Sequence, residues 1–285
     1  MSRDSTQGVR VFTKSELLAV LFCVSAGMSG CDGSGGKGDL TANGGSSSSG
    51  SGSNSGGATT PNASPGGIWK GTESVSGTSV FGVSDEVGDF YFLRSDGVLY
   101  IGTATTTADA LSGSFDGFVT SGSAFPDGST HGTGTLSGTI QPRVSITSKF
   151  QFATDNAITS TGSLSLTFDS LYDNASSLAA ISGNFTSSID AAVVTIGSNG
   201  TIFSQDTTSG CVLNGTVYII NASYDAYRVV FEFSSCQGQA AASNGAQFTG
   251  LAALDTSVSP HVVHIAATGA SAGKKYAMAF DLTGS

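Results

Sequence analysis

From residue 67 onward, apolar and polar side chains alternate along the chain. Ile146, Ser148, Phe150 and Phe152 interleave with Thr147, Lys149 and Gln151, and Leu164, Leu166 and Phe168 with Ser165, Thr167 and Asp169. Tyr276, Met278, Phe280 and Leu282 interleave in the same way with Ala277, Ala279 and Asp281. A period of two predicts strands with one face buried and the other in water, the pattern of antiparallel sheets. Turn signals punctuate them: Asp96-Gly97 falls within Phe90 to Ile101, and Asn199-Gly200 within Val193 to Ser204. These dipeptides adopt the positive φ angles that tight hairpins need. Only Asn174 to Ser182 reads as helical, with Asn174 capping a short turn through Leu178, Ala179 and Ala180. Many short strands and frequent turns predict an all-β fold, either one antiparallel β-barrel or two similar small barrel or meander units.

The second possibility is favoured by three local echoes. Phe90 to Tyr100 echoes Val193 to Phe203, Thr135 to Ile140 echoes Cys211 to Val217, and Phe150-Gln151-Phe152 echoes Phe231-Glu232-Phe233. The order is the same in both halves, which predicts β units at 67–170 and 171–285. Because the offset shortens after the first echo, an extra hairpin is expected in the first unit near 102–132.

The remaining sequence changes this picture by adding an address. The chain has 285 residues, enough for one or two domains. Lys and Arg number 11 against 21 Asp and Glu, a net charge of −10, which repels a phosphate backbone and makes nucleic acid an unsuitable partner. Arg3, Arg10 and Lys14 form a basic start ahead of an apolar stretch, Leu17 to Ala26, too short to span a bilayer. Residues 1–30 therefore read as an export signal. Residues 32–66 hold 11 Gly and 9 Ser in 35 positions, a composition expected to form a flexible tether rather than a core.

The segment Leu21 to Cys31, in which small residues lead directly into a cysteine, resembles a bacterial lipobox. The resemblance implies lipidation of Cys31, with Ser29 and Gly30 as the small residues before it, and a lipid bilayer as partner. Residues 31–66 then become a lipidated cysteine followed by a Gly/Ser linker. Asp32 resembles the inner-membrane retention signal of enterobacterial lipoproteins, a rule that differs among bacterial groups. The expected location is the bacterial cell envelope, the outer membrane ahead of the inner. At the start of the folded region, Gly67-Ile68-Trp69 is similar to the G-x-W that opens lipocalin-like barrels, where the indole closes one end. The order of anchor, tether and acidic β body also resembles transferrin-binding-type surface lipoproteins.

Four cysteines are then accounted for. Cys23 leaves with the signal and Cys31 takes lipid, so Cys211 and Cys236 are expected to form a disulfide in an oxidising compartment.

No catalytic centre, metal site or cofactor is expected. Gly269-Ala270-Ser271-Ala272-Gly273 matches a nucleophile-elbow string, but Ser271 lies between two predicted strands and no histidine follows it. His261 and His264 fall on opposite faces of a strand and cannot chelate one ion. His131 is expected to be solvated, as are Asp85, Glu86 and Asp89, whose spacing fits no EF-hand loop. The function expected is a non-enzymatic binding or interaction module, meeting an envelope protein or glycan through an exposed face or through loops 82–89 and 121–132. The alternative is a lipocalin-like carrier of a small apolar ligand, held by Trp69, Phe90, Phe92 and Tyr100.

Overall fold

A computed structural model of the chain describes residues 61–119, 123–271 and 274–285. The expected export signal, the expected lipidation site Cys31 and the expected linker as far as residue 60 lie outside the described residues.

The folded part is two closed eight-stranded antiparallel barrels, each an up-and-down meander whose last strand pairs with its first. The first comprises β1 (Gly67–Glu73), β2 (Ser79–Ser84), β3 (Asp89–Arg94), β4 (Val98–Thr107), β5 (Ala110–Val119), β6 (His131–Gln141), β7 (Ser145–Thr154) and β8 (Thr159–Asp169). A 3-10 turn at Ser170–Asp173 and a single-turn helix, α1 (Leu178–Ile181), lead to the second barrel. That barrel comprises β9 (Gly183–Ser187), β10 (Val193–Ile196), β11 (Thr201–Gln205), β12 (Val212–Ile219), β13 (Tyr227–Ser234), β14 (Gln247–Asp255), β15 (Val262–Ser271) and β16 (Lys274–Gly284). Both turn dipeptides form hairpins, joining β3 to β4 and β10 to β11, with φ of 88° at Gly97 and 85° at Gly200.

Alternation places one side chain in two inside each barrel. Phe90, Phe92, Tyr100, Phe115, Phe150 and Phe152 fill the first, and Phe185, Phe231, Phe248, Val263 and Ile265 are among those that fill the second. Eight strands give an interior that side chains can occupy completely, so each barrel has its own packed core. Phe115 stacks on Phe152 with ring centroids 6.1 Å apart, and Phe231 stacks on Phe248 at 5.2 Å.

The internal repeat is real, but its register differs from the sequence expectation. Neither barrel has an extra hairpin. Equivalent strands begin a nearly constant distance apart: Gly67 and Gly183 differ by 116 positions, Val98 and Val212 by 114, His131 and Gln247 by 116, and Ser145 and Val262 by 117. The echo of Phe90 to Tyr100 in Val193 to Phe203 matched β3–β4 to β10–β11, one strand out of step. Outward positions rich in Ser, Thr and Gly resemble one another in any register, and two similar turns supplied the false match.

The helical segment also differs. Ser177, not Asn174, caps α1, its hydroxyl accepting from Ala180 N. The linker becomes structured before residue 67. Ala63 N donates to Ala108 O at 2.7 Å, Thr106 Oγ1 donates to Ala63 O at 2.6 Å, and Ser84 Oγ donates to Pro65 O at 2.5 Å. The expected flexible tether therefore ends earlier than residue 66: residues 62–66 lie as a strap across one end of the first barrel.

The two barrels pack side by side. Ile68, Val83, Tyr91 and Leu99 on the outside of the first barrel meet Ala226, Leu251, Ala253 and Ala266 of the second, with Tyr172 of the connection between them. Runs such as Phe90-Tyr91-Phe92-Leu93 and Leu251-Ala252-Ala253-Leu254 break the alternation because both of their faces are covered, one by a barrel interior and the other by the seam.

Candidate functional site

Three regions hold the chemistry: the interior of the first barrel, the seam between barrels, and the outer face of β6–β8.

Trp69, Phe90, Phe92 and Tyr100 all lie in the interior of the first barrel. Trp69 is fully buried, its Nε1 donating to Ser84 Oγ at 2.8 Å and its ring meeting Phe168 edge-on at 5.6 Å. Gly67 is required beside it, since a Cβ there would sit 2.5 Å from the indole. The cavity near Phe90 and Phe92 has a volume of about 20 Å³, closed over by Pro65 of the strap and lined by Ala104, Leu111, Leu136 and Ile146. That is room for about one water molecule. At the far end, Tyr100 Oη accepts from Arg94 Nη1 at 3.1 Å, and Arg94 Nη1 lies 3.3 Å from Glu73, which is fully buried and also accepts from Val75 N at 2.7 Å. Burial raises the pKa of Tyr100 above its ordinary value. The four aromatics thus contribute packing, and a bound guest would require the strap and rings to move.

At the seam, the acidic group is neither solvated nor arranged for calcium. Arg228 of β13 reaches from the second barrel to Asp85 at 2.9 Å and to Asp89 at 2.7 Å. Asp85 is fully buried and also accepts from Val87, Gly88 and Asp89 N–H groups. Burial, followed by repulsion from Asp89, raises its pKa despite Arg228. Glu86 accepts from Tyr172 Oη at 2.8 Å. Loop 82–89 therefore helps to clamp the barrels together, while Val87 at its tip stays exposed. Loop 121–132 lies partly outside the described residues.

His131 and His264 also lie at the joint between the barrels. His131 is held between Asp116 at 3.0 Å and Asp155 at 2.9 Å rather than standing in solvent, and Lys275 of the second barrel bonds both Asp116 oxygens at 2.8 Å. His264 bonds Asp281 at 2.7 Å, and Phe81 of the first barrel lies 4.7 Å from its ring. His261 packs edge-on against Phe185, 5.6 Å away, so it shares no site with His264. Ser271 ends β15, pairing with Lys274 across the hairpin to β16. Among the described residues, no group of three or more His, Cys, Asp or Glu side chains is placed to hold a metal ion.

Nearby, Asp225 is 3% exposed and accepts from Leu254 N at 3.1 Å through each carboxylate oxygen. Burial pushes its pKa up to about 7. Tyr91 Oη is buried in the seam without a hydrogen-bond partner among the described residues, and burial, with Asp281 and Asp225 near it, drives its pKa far upward. Neither residue stands out in the sequence, since both depend on a contact between distant strands. Cys211 and Cys236 form a disulfide that ties the start of β12 to the end of β13.

The outer face of β6–β8 carries a groove of about 620 Å³. Pairing sets its residues in two rows across three strands: Thr135, Gln151 and Thr161 form one, and Ser137, Lys149 and Ser163 the other. The sequence alternation places these residues outward, but their assembly into one groove depends on the pairing of three strands.

No known protein-family model matches this chain, and no curated protein matches it in sequence.

Proposed function

We propose that the protein is a lipid-anchored bacterial envelope protein whose paired barrels act as a non-enzymatic binding or interaction module. The observation that carries this reading is the side-chain-filled interior of the first barrel, where the cavity beside Phe90 and Phe92 holds about 20 Å³ while a groove bordered by hydroxyl and amide side chains is available outside. The lipobox-like segment ending at Cys31 supplies the anchor, and the Gly/Ser linker allows the barrels to stand clear of the bilayer. The G-x-W resemblance to lipocalin-like barrels extends to barrel closure, since Trp69 lies wholly inside the first barrel; it does not bring an open calyx with it.

Two measurements test the reading. Cells expressing the full chain with labelled palmitate are expected to yield a labelled protein, with the label lost in Cys31→Ala; a mature chain without lipid would overturn the anchor. Native mass spectrometry of the full chain is expected to show no stoichiometric small apolar molecule. Such a molecule, released on denaturation, would replace the interaction module with a carrier.

A further inference from the structure

The groove on β6–β8 differs from the rest of the surface in its charge. Of the six lysines and arginines whose side chains are described, five pair with carboxylates: Lys70 with Asp169, Arg94 with Glu73 and Asp96, Arg143 with Asp173, Arg228 with Asp85 and Asp89, and Lys275 with Asp116. Lys149 is the exception among the described residues. It stands in the middle strand of the groove, between Ser137 and Ser163, and no Asp or Glu lines that groove. The side chains of Thr135, Gln151 and Thr161 are likewise exposed and make no hydrogen bond among the described residues. Among the described residues, one cation is left unpaired, in a groove bordered by hydroxyl and amide groups.

We infer that this groove binds an acidic polysaccharide, with Lys149 pairing with a sugar carboxylate and the flanking Ser, Thr and Gln side chains bonding sugar hydroxyls. The inference rests on the reading of the protein as a binding module and names its partner. The two rows repeat at the spacing of the pleat, about 4.8 Å between strands and close to 7 Å along a strand, so successive hydroxyls of an extended ligand meet successive side chains. Peptides are less suited. Strand addition requires an open sheet edge, and a closed barrel has none; helix docking requires an apolar groove, and proline-rich segments require an aromatic one. A nucleic acid would present mainly phosphates to a groove that offers one cation and five hydroxyl or amide side chains, whereas a polysaccharide presents mainly hydroxyls.

The test is a titration of the full-length protein with oligogalacturonate, followed by calorimetry and by amide shifts, alongside its methyl ester and polyglutamate. Oligogalacturonate is expected to bind with shifts concentrated on β6–β8, and the neutral ester more weakly. Lys149→Gln is expected to weaken binding about fivefold, the scale of an exposed ion pair, with Lys149→Arg restoring most of it. Circular dichroism checks that both variants keep the fold. Absence of binding, equal affinity for the ester, shifts confined to another face, or no response to Lys149→Gln would each overturn the inference. Equal binding of polyglutamate would overturn it in favour of an acidic peptide. New reducing ends in the titrated sugar would instead overturn the non-enzymatic reading, whether or not the groove is the site.

Discussion

Protonation of Asp225 should make the protein more stable as the pH falls from 8 towards 5, contrary to the usual behaviour of a paired carboxylate. Its carboxyl is buried next to Leu254 N, and the N–H donor and His264 only partly offset the cost of removing the charge from water, to which Asp255 adds repulsion. The folded-state pKa of about 7 lies above the ordinary value of 3.8. Between those limits the folded chain holds a proton that the unfolded chain has released, so stability is lost as the pH rises through 7 and regained as it falls. A displacement of about three units at about 1.4 kcal/mol per unit corresponds to about 4 kcal/mol between pH 8 and pH 4. Asp85, also raised by burial, contributes with the same sign. Asp169, Asp206 and Asp255 have pKa values lowered by their partners, so they contribute stability that is lost only as the pH falls below about 4. The window from pH 5 to 8 therefore lies above the range in which these three carboxyls contribute, and comparison with Asp225→Asn separates the contribution of Asp225 from that of every other group. Urea unfolding followed by circular dichroism across this window should show a rising midpoint with acidification, and Asp225→Asn should flatten that rise and be more stable than the parent at pH 8. A midpoint that falls from pH 8 to 5, or an unchanged slope in Asp225→Asn, would refute the argument.

Other outcomes follow from the seam and the cores. Tyr91→Phe removes a buried hydroxyl that has no partner, so it is expected to leave stability unchanged or raise it by up to about 1 kcal/mol in urea unfolding. Arg228→Met leaves Asp85 buried with only its N–H donors and is expected to cost about 2–3 kcal/mol, seen as faster hydrogen exchange in residues 82–89 before the barrels unfold. Replacing Cys211 and Cys236 together by Ser opens a loop of 25 residues and should cost about 3–4 kcal/mol, with the loss matched by reduction of the parent protein. Phe115→Ala should cost about 3–5 kcal/mol by opening a cavity among Tyr100, Phe150 and Phe152, measurable as a lower unfolding midpoint.

Much of the fold was legible because its main signal is local. Alternation through Ile146 to Phe152 and Leu164 to Phe168 reflects a barrel wall with one wet face, and Asp96-Gly97 carries its hairpin in two residues. The seam was illegible for the opposite reason: Asp85 and Arg228 are 143 positions apart, and nothing near either indicates the other. The acidic loop therefore resembled solvated surface, and His131 resembled a free side chain until Asp116, Asp155 and Lys275 surrounded it. The interruption of alternation at Phe90 to Leu93 and Leu251 to Leu254 was the available clue, since a strand buried on both faces loses its polar positions. The groove around Lys149 was visible only as outward residues, because its concavity depends on three strands at once.

The repeat shows which positions a barrel constrains and which it leaves to function. Gly67 and Trp69 correspond to Gly183 and Phe185, each pair opening the first strand of its barrel with the aromatic ring fully buried. Phe115 and Phe231, again 116 positions apart, lie opposite Gly102 and Gly215, where a Cβ would strike the backbone oxygen of Ser114 or Val230. These inward positions recur because closing eight strands around a filled interior allows few substitutes for a large ring facing a glycine. The outward faces did not remain alike: around the first barrel, one side became the apolar seam of Ile68, Val83, Tyr91 and Leu99, while another kept the hydroxyl rows beside Lys149. Such a division is what a barrel would show if its interior served stability and its exterior served recognition. The distinction can be measured, because Phe115→Ala should lower the unfolding midpoint while Lys149→Gln leaves it in place and changes only what the groove holds.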